Sequence, residues 1–300
     1  MEKLDKKSIC WYYMQMEYFT NGTDDGEYIR ILGNFFAKSD EWFQLTEQER
    51  HLDSCLSFAK RRKHLVFTSL SSCLFRKIPR LGKYDLSPYS ICTGTKSKDD
   101  ITWLFGPLDP NATIIDGVAV ASPIRTICDL ARADTPESLL VSINHCLFFG
   151  LFSKKEFLAY LKLRLGIHKG KLLTTLLEFA SAKCESALET IAWLTIYKGK
   201  FEMPQQQVQI RDTKGLIGRV DMLWEFHNRK VVLELDGYVK YRSHDSDAVI
   251  KEKIREDRLR AQGYEVIRII WREVKSGELL QILSEKKIPT RRYFGTKFPN

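Results

Sequence analysis

Two stretches near the end of the chain, Arg219-Val-Asp-Met-Leu-Trp-Glu-Phe226 and Val231-Val-Leu-Glu-Leu-Asp236, decide the fold of its last third. Both are rich in β-branched and aromatic residues and have the length of a typical strand. Only His227-Asn-Arg-Lys230 separates them, which is a hairpin connection of about four residues. The sequence therefore predicts two antiparallel strands joined by a tight turn.

Three acidic side chains of this hairpin are predicted to lie close together. Counting outward from the middle of the connection puts Asp221 roughly opposite Glu234 or Asp236, and cross-strand Cβ atoms lie about 4.5–5.5 Å apart. Like charges at about 4 Å repel by about 4 kcal/mol at an effective dielectric near 20, and a divalent cation removes that cost. Asp221, Glu234 and Asp236 are therefore predicted to bind Mg²⁺ or Mn²⁺, which prefer oxygen ligands.

Acids on a hairpin more often simply face solvent than bind a metal. These acids, however, stand in strands that are otherwise apolar. A basic helix is predicted directly after them, at Lys251 to Gln262. Its Lys253, Arg255 and Arg258 are predicted to contact DNA phosphates, although acid–base pairs at i,i+4 spacing also serve simply to stabilise a helix. A metal held by these acids could polarise a phosphodiester and lower the pKa of a bound water. Lys240, just beyond the second strand, is expected to reach that water or the phosphate that it attacks.

The rest of this region alternates between helix and strand. A long helix is predicted from Leu172 to Tyr197, then a strand at Gln207–Arg211 and, after the basic helix, a closing strand at Glu265–Trp271. The order helix, hairpin, helix, strand predicts a mixed α/β sandwich.

An ordered series of motifs here resembles the very-short-patch-repair-like endonuclease domain of the PD-(D/E)XK, or restriction-endonuclease-like, superfamily. Over about 90 residues the series runs Cys184-Glu-Ser-Ala-Leu-Glu189, Pro204-Gln-Gln-Gln-Val208, Gly218-Arg-Val-Asp221, Glu234-Leu-Asp-Gly237 and Arg255-Glu-Asp-Arg-Leu-Arg-Ala-Gln-Gly-Tyr-Glu-Val-Ile-Arg268. The resemblance implies a restriction-endonuclease-like α/β sandwich that hydrolyses phosphodiester bonds in DNA with Mg²⁺ or Mn²⁺.

The same resemblance implies roles for individual residues. Glu185 takes the place of the helix glutamate that leads into the active site, Asp221 that of the metal aspartate, and Glu234 that of the metal-binding acid on the next strand. Asp236 stands where the wider superfamily has its lysine, so Lys240 is left to supply that cation. The implied catalytic set is Glu185, Asp221, Glu234, Asp236 and Lys240, and the implied DNA contacts are Lys253, Arg255, Arg258, Arg268 and Arg272.

The preceding region is predicted to be mainly helical. Thr46–Arg62, which carries the basic run Lys60–Lys63 close to its end, and Ser69–Phe75 are compatible with a helix-turn-helix or winged-helix unit. The basic run either interacts favourably with the dipole at the end of the helix or contacts phosphate groups. Further helices are predicted to begin at Ser122-Pro123 and to run over Thr135–Cys146 and Ser153–Arg164, and short strands over Ile101–Phe105 and Thr113–Ile115.

Three segments of this region, His64–Leu70, Gly117–Ala131 and Phe149–Glu156, are similar to type IV (AbiEi-like) antitoxins and transcriptional regulators. In physical terms the clearest of them is a well-capped helix, within which Arg125 and Asp129 have the spacing of an i,i+4 pair. The similarity implies an alternative function, a catalytically weak or inactive DNA-binding regulator of a toxin–antitoxin or phage-defence system. A nuclease directed at RNA is a third hypothesis.

Composition agrees with a globular DNA-binding protein. The 300 residues carry 47 Lys and Arg against 38 Asp and Glu, a net charge of +9, which favours an anionic partner. Seven cysteines without a Cys-x-x-Cys pair predict reduced thiols in the cytoplasm, and the chain lacks the apolar length of a membrane span. A dimer is compatible with the sequence. Four segments are predicted, namely aromatic-rich 1–45, regulator-like 46–168, nuclease-like 172–288 and a basic tail, 289–300.

Overall fold

The computed structural model describes residues 27–32, 35–62, 64–93, 100–164, 167–237, 246–291 and 298–299. The chain divides into two units. Unit 1 consists of Met1–Ser142 with Leu151–Thr174, and unit 2 of Ile143–Gly150 with Thr175–Asn300. The predicted α/β class is confirmed, because the described residues form eleven helices and three sheets. Most of the aromatic-rich segment 1–45 and of the tail 289–300 lies outside the described residues.

Unit 1 contains more sheet than its sequence indicates. A two-stranded antiparallel hairpin is followed by a five-stranded mixed sheet in the order β5-β4-β3-β7-β6. The strands are β1 (Tyr28–Leu32), β2 (Phe35–Lys38), β3 (Val66–Phe67), β4 (Tyr89–Cys92), β5 (Thr102–Phe105), β6 (Thr113–Ile115) and β7 (Val118–Val120). A mainly helical region is thus an incomplete prediction. The two short strands predicted at Ile101–Phe105 and Thr113–Ile115 are confirmed as β5 and β6, whereas the other strands, of two to five residues, are too short to show a periodic pattern.

Seven helices begin in unit 1, and three of them start at capping signals of the sequence. Thr46 and Ser153 each form a capping box with the glutamate three residues on, and Ser122 accepts from Arg125 N ahead of Pro123. The helices are α1 (Ser39–Gln44), α2 (Glu47–Arg61), α3 (Ser69–Arg76), α4 (Pro123–Leu130), α5 (Pro136–Phe148), α6 (Lys154–Leu163) and α7 (Gly170–Phe179).

The helix-turn-helix prediction is wrong for the pair α2 and α3. A helix-turn-helix joins its two helices by a turn of about three to four residues. Here the chain between Arg61 and Ser69 contains β3, which pairs with β4 and β7 inside the five-stranded sheet. Both helices are real, but the segment between them belongs to a sheet.

Unit 2 is built on a four-stranded sheet in the order β11-β10-β9-β8, in which β10 and β11 are parallel and the other pairs antiparallel. The predicted hairpin is confirmed, with a tighter turn because Phe226 already pairs with Arg229. The elements are α8 (Ala187–Lys198), β8 (Gln205–Asp212), β9 (Gly215–Phe226), β10 (Arg229–Asp236), α9 (Ser246–Ala261), β11 (Tyr264–Ile270), α10 (Trp271–Ser276) and α11 (Glu278–Glu285).

The long helix predicted over Leu172–Tyr197 is wrong, because the chain breaks between α7 and α8. Polar groups divert the backbone there: Ser181 N donates to Asn144 Oδ1 at 2.8 Å, and the Ser186 side chain caps α8 by accepting from Glu189 N at 3.1 Å. Serine competes with the helix ladder in this way. The break puts Glu189 in the first turn of a new helix.

β10 is buried on both faces. Leu233 and Leu235 pack into a core with Leu188 and Ala192 of α8, while Val232 packs against Leu259 of α9 on the opposite face. Because side chains alternate along a strand, Glu234 and Asp236 extend the row begun by Val232. They are only 6% and 3% exposed, so the alternative explanation, a solvated strand face, does not apply to them. No helix of the described chain is both long and apolar enough to span a bilayer.

Candidate active site

Asp221 occupies a gap in the strand pairing of unit 2. The ladder between β9 and β10 ends at Met222–Leu233, and the ladder between β8 and β9 passes from Val220–Val208 directly to Met222–Gln206. The Asp221 carboxylate takes over part of the lost pairing, because Leu235 N donates to Asp221 Oδ2 at 2.8 Å. A side-chain carboxylate thus accepts the hydrogen bond of a β10 amide in place of a backbone carbonyl.

Two further carboxylates lie near enough to Asp221 to feel its charge. Burial raises the pKa of Glu189 on α8, and the charge of Asp221 raises it further. Burial likewise raises the pKa of Glu234 on β10, with Asp221 again adding to the rise. Glu189 is 7% exposed and Glu234 6%. Asp221 is therefore the shared neighbour of two buried acids, one from a helix and one from a strand.

Gln207 on β8 completes the surroundings of Asp221. It stands at the position that the ladder between β8 and β9 skips, and its φ of 55° lies in the left-handed region that residues other than glycine rarely adopt. Its Nε2 donates to Glu189 Oε2 at 2.8 Å, while its Oε1 is buried without a hydrogen-bond partner among the described residues. A strained backbone and an unsatisfied buried oxygen are typical of functional sites.

Each of the two acids of β10 forms an ion pair with an arginine. Arg255 of α9 forms an ion pair with Glu234 and a second one with Glu252 at 2.9 Å. Arg268 of β11 donates to Asp236 Oδ2 at 3.0 Å and to Glu252 Oε1 at 2.6 Å. In the register of the sheet Arg268 stands directly beside Glu234. The row of acids is thus neutralised by a row of guanidinium groups.

Glu185, predicted as the helix glutamate of the site, is placed differently by the structure. It precedes the N-cap of α8, and its carboxylate pairs with the Arg219 side chain. Glu189, the last residue of the same motif, is the glutamate that lies near Asp221, and Glu185 N donates to its Oε2 at 3.1 Å. Both glutamates belong to the motif, and the position at which α8 begins determines which of them lies near Asp221.

The predicted DNA contacts fall into two groups. Lys253 and Arg272 are exposed on α9 and α10, where they are accessible to a phosphate backbone. Arg255, Arg258 and Arg268 instead satisfy carboxylates of unit 2, and Arg258 pairs with Asp212 at 2.6 Å. Lys240, the predicted catalytic cation, lies outside the described residues, as does Lys63 of the basic run.

The donor set around Asp221 suits a hard divalent cation, because it consists of carboxylates and one unsatisfied amide oxygen. The predicted triad of Asp221, Glu234 and Asp236 is not assembled as one ligand group. Within the described residues, no three His, Cys, Asp or Glu side chains are arranged to hold a metal ion. Glu234 and Asp236 are directed to Arg255 and Arg268 instead.

Replacing Asp221 with asparagine is expected to raise the free energy of unfolding of unit 2 by about 0.5–2 kcal/mol in EDTA. Stabilising substitutions commonly contribute this much, and this one removes repulsion between neighbouring carboxylates. The asparagine Oδ1 can still accept from Leu235 N, while the repulsion of Glu189 and Glu234 disappears. Hydrogen exchange of β10 amides under native conditions measures the change. The control, Asp212→Asn, loses an attractive partner of Arg258, so its stability should fall. A loss of stability in Asp221→Asn would contradict the charge arrangement.

Comparisons of the chain with models of protein families, with curated proteins and with solved structures found no match in any of the three. The resemblances drawn from the motifs of unit 2 and of unit 1 therefore stay predictions.

Proposed function

We propose that unit 2 is a metal-dependent endonuclease that hydrolyses phosphodiester bonds in DNA. One observation carries the proposal: Asp221 stands in a gap of the strand pairing beside two buried acids, Glu189 and Glu234, whose pKa values its charge raises. Such a concentration of negative charge is costly unless a cation balances it. The exposed Lys253 and Arg272 and the net charge of +9 support DNA as the partner.

Asp221, Glu234 and Glu189 would hold the cation, Mg²⁺ or Mn²⁺, with Gln207 Oε1 as a further oxygen ligand. Binding would require Glu234 to exchange Arg255 for the cation, because the three acids do not form a ligand group among the described residues. The cation would supply positive charge to the scissile phosphate. Gln207 fixes Glu189 through its Nε2, and Asp221 is fixed by Leu235 N. The proposal assigns the protein to the cytoplasm, with which the free thiols of the six described cysteines agree.

The proposal predicts that the purified chain nicks supercoiled plasmid in Mg²⁺ or Mn²⁺ and is inactive in EDTA. Asp221→Asn, purified in parallel, should lose at least about 100-fold in nicking rate, because it removes the charge at the centre of the site. Glu225→Gln is a matched control, since Glu225 lies on the same strand but pairs with Lys230. The control should cut like the wild-type chain.

Metal binding is measured separately, by calorimetry with Mn²⁺, so that an unsuitable plasmid substrate does not decide the result. Wild-type protein should bind Mn²⁺ and Asp221→Asn should not. If Asp221→Asn binds and cuts as well as the wild-type chain, or if the wild-type chain binds no metal, the assignment of this site is wrong.

The ion pairs of the site favour a second function, a DNA-binding regulator that retains the sheet without catalysis. Arg255 and Arg268 pair with Glu234 and Asp236, so guanidinium groups balance the charge of these two acids. A regulator would bind DNA with an affinity that falls with salt and is unchanged by EDTA. Fluorescence anisotropy of labelled DNA with and without EDTA therefore separates the two functions, and an RNA competitor tests the third hypothesis.

A further inference from the structure

Unit 1 contains a cavity of about 330 Å³ to which the proposed function gives no role. We call it the Arg125 cavity. It lies between the end of β5, helix α4 and the residues from the end of α6 onward, and its lining includes Phe105, Arg125, Arg132, Tyr160, Leu163 and Arg164. Its volume falls at the lower end of the range for small-molecule sites.

The charge of the lining is positive. Arg125, Arg132 and Arg164 face one carboxylate, that of Asp129. Asp129 is already engaged, because its Oδ2 accepts from Thr68 Oγ1 at 2.7 Å and from Arg125 Nε at 2.6 Å. A surplus of arginines in a concave site is the arrangement by which proteins bind phosphate and carboxylate groups.

Arg125 is held in one orientation. It is only 4% exposed, and its Nη1 donates to Pro107 O at 2.9 Å in addition to the bond from Nε to Asp129. A Cβ on Gly106 would lie 3.0 Å from Arg125 Nη2, so the absence of a side chain there leaves space beside this nitrogen. The pairing with Asp129 that the sequence indicates is thus only part of the role of Arg125.

Tyr160 gives a second and independent sign of a ligand. Its hydroxyl is buried and has no hydrogen-bond partner among the described residues, although buried hydroxyl groups are nearly always satisfied. Burial raises the pKa of Tyr160 to about 12, so the group remains a donor at neutral pH. The Arg164 guanidinium lies 4.8 Å from the centre of its ring, which places a cation next to the unsatisfied donor.

We propose that the Arg125 cavity binds a small phosphomonoester. Its phosphate accepts hydrogen bonds from the Tyr160 hydroxyl and from the arginine side chains, and the remainder of the molecule packs against the exposed Phe105 and Leu163. Arg125 and Tyr160 lie on two different helices, and a phosphate with three terminal oxygens can accept from more of these donors than a carboxylate with two. Cys128, also in the lining, is buried and its pKa is raised by burial, so the site has no reactive thiolate.

Calorimetry on the full chain in 150 mM NaCl, a salt concentration of about physiological strength, tests this proposal. The probes are inorganic phosphate, glucose 6-phosphate and adenosine 5′-monophosphate, and the two organic phosphates are each paired with a counterpart without phosphate, namely glucose and adenosine. The phosphate-bearing probes should bind and their counterparts should not. Differences in affinity among the three phosphate probes show which group attached to the phosphate the cavity prefers.

Tyr160→Phe is the decisive variant. It removes only a hydroxyl that satisfies nothing in the described chain, so folding should be unaffected, whereas affinity for the phosphate probes should fall about tenfold. Tyr89→Phe is the matched control, because the Tyr89 hydroxyl donates to Asp85 Oδ2 at 2.8 Å and does not line the cavity. It should leave binding unchanged. The proposal is overturned if no phosphate probe binds the wild-type chain, if the counterparts bind equally well, or if Tyr160→Phe binds as tightly as wild type.

Discussion

Replacing Arg80 with methionine is expected to lower the free energy of unfolding of unit 1 by about 3–5 kcal/mol, the usual cost of breaking a buried ion pair by removing one partner. Arg80 and Asp134 have side chains only 3% and 2% exposed. Arg80 Nε donates to Asp134 Oδ2 at 2.9 Å and Nη2 to Oδ1 at 2.5 Å, so the pair is bidentate. Methionine has a similar length but leaves the Asp134 carboxylate buried, with Ser138 Oγ as its one remaining side-chain donor among the described residues.

The double variant Arg80→Met with Asp134→Asn tests this explanation. Removing the charge from both partners should restore much of the lost stability, because the cost arises from an uncompensated buried carboxylate rather than from lost packing. Arg260→Met, which breaks an exposed pair with Glu256, should cost less than about 1 kcal/mol. Hydrogen exchange of the β3 and β7 amides reports the Arg80 variants in unit 1, and that of the β10 amides reports the Arg260 control in unit 2. A cost below about 1 kcal/mol for Arg80→Met would contradict the burial of this pair.

Replacing Arg255 with methionine is expected to make the stability of unit 2 depend on divalent metal. Without metal, Glu234 loses its guanidinium partner and remains close to Asp221. The Arg255 side chain is 20% exposed, so the expected cost lies between that of surface and buried pairs, at about 2 kcal/mol. Because the freed carboxylate can bind a cation, Mg²⁺ or Mn²⁺ should restore the loss, by about 2.7 kcal/mol at a concentration 100 times Kd.

Arg258→Met is the matched control for this metal effect. Arg258 stands on the same helix and also pairs with a carboxylate, but its partner is the half-buried Asp212 at the far end of β8. The control should lose stability and gain nothing from metal. Hydrogen exchange of β10 amides, measured in EDTA and in excess Mg²⁺, reads both variants. If Arg255→Met is as insensitive to metal as Arg258→Met, the regulator function is favoured over the endonuclease.

The sequence by itself determined the elements whose signals are local. The hairpin of β9 and β10 follows from two runs of strand-forming residues around a short polar turn, and the starts of α2, α4 and α6 follow from their capping residues. It also drew attention to Asp221, Glu234 and Asp236. These features depend on residues close together in the chain, so a single sequence carries them.

Only the tertiary structure decided which charges meet. Glu185 and Glu189 stand in one motif, but the break before α8 directs Glu189 toward Asp221 and leaves Glu185 to Arg219. The basic residues Arg255 and Arg268 satisfy the acids of β10, a pairing between residues 21 and 32 positions apart. Gln207 gave no signal beyond its place in a run of three glutamines. The physical reason is that the charge balance of a buried site depends on long-range packing, whereas periodicity and capping report only local backbone preference.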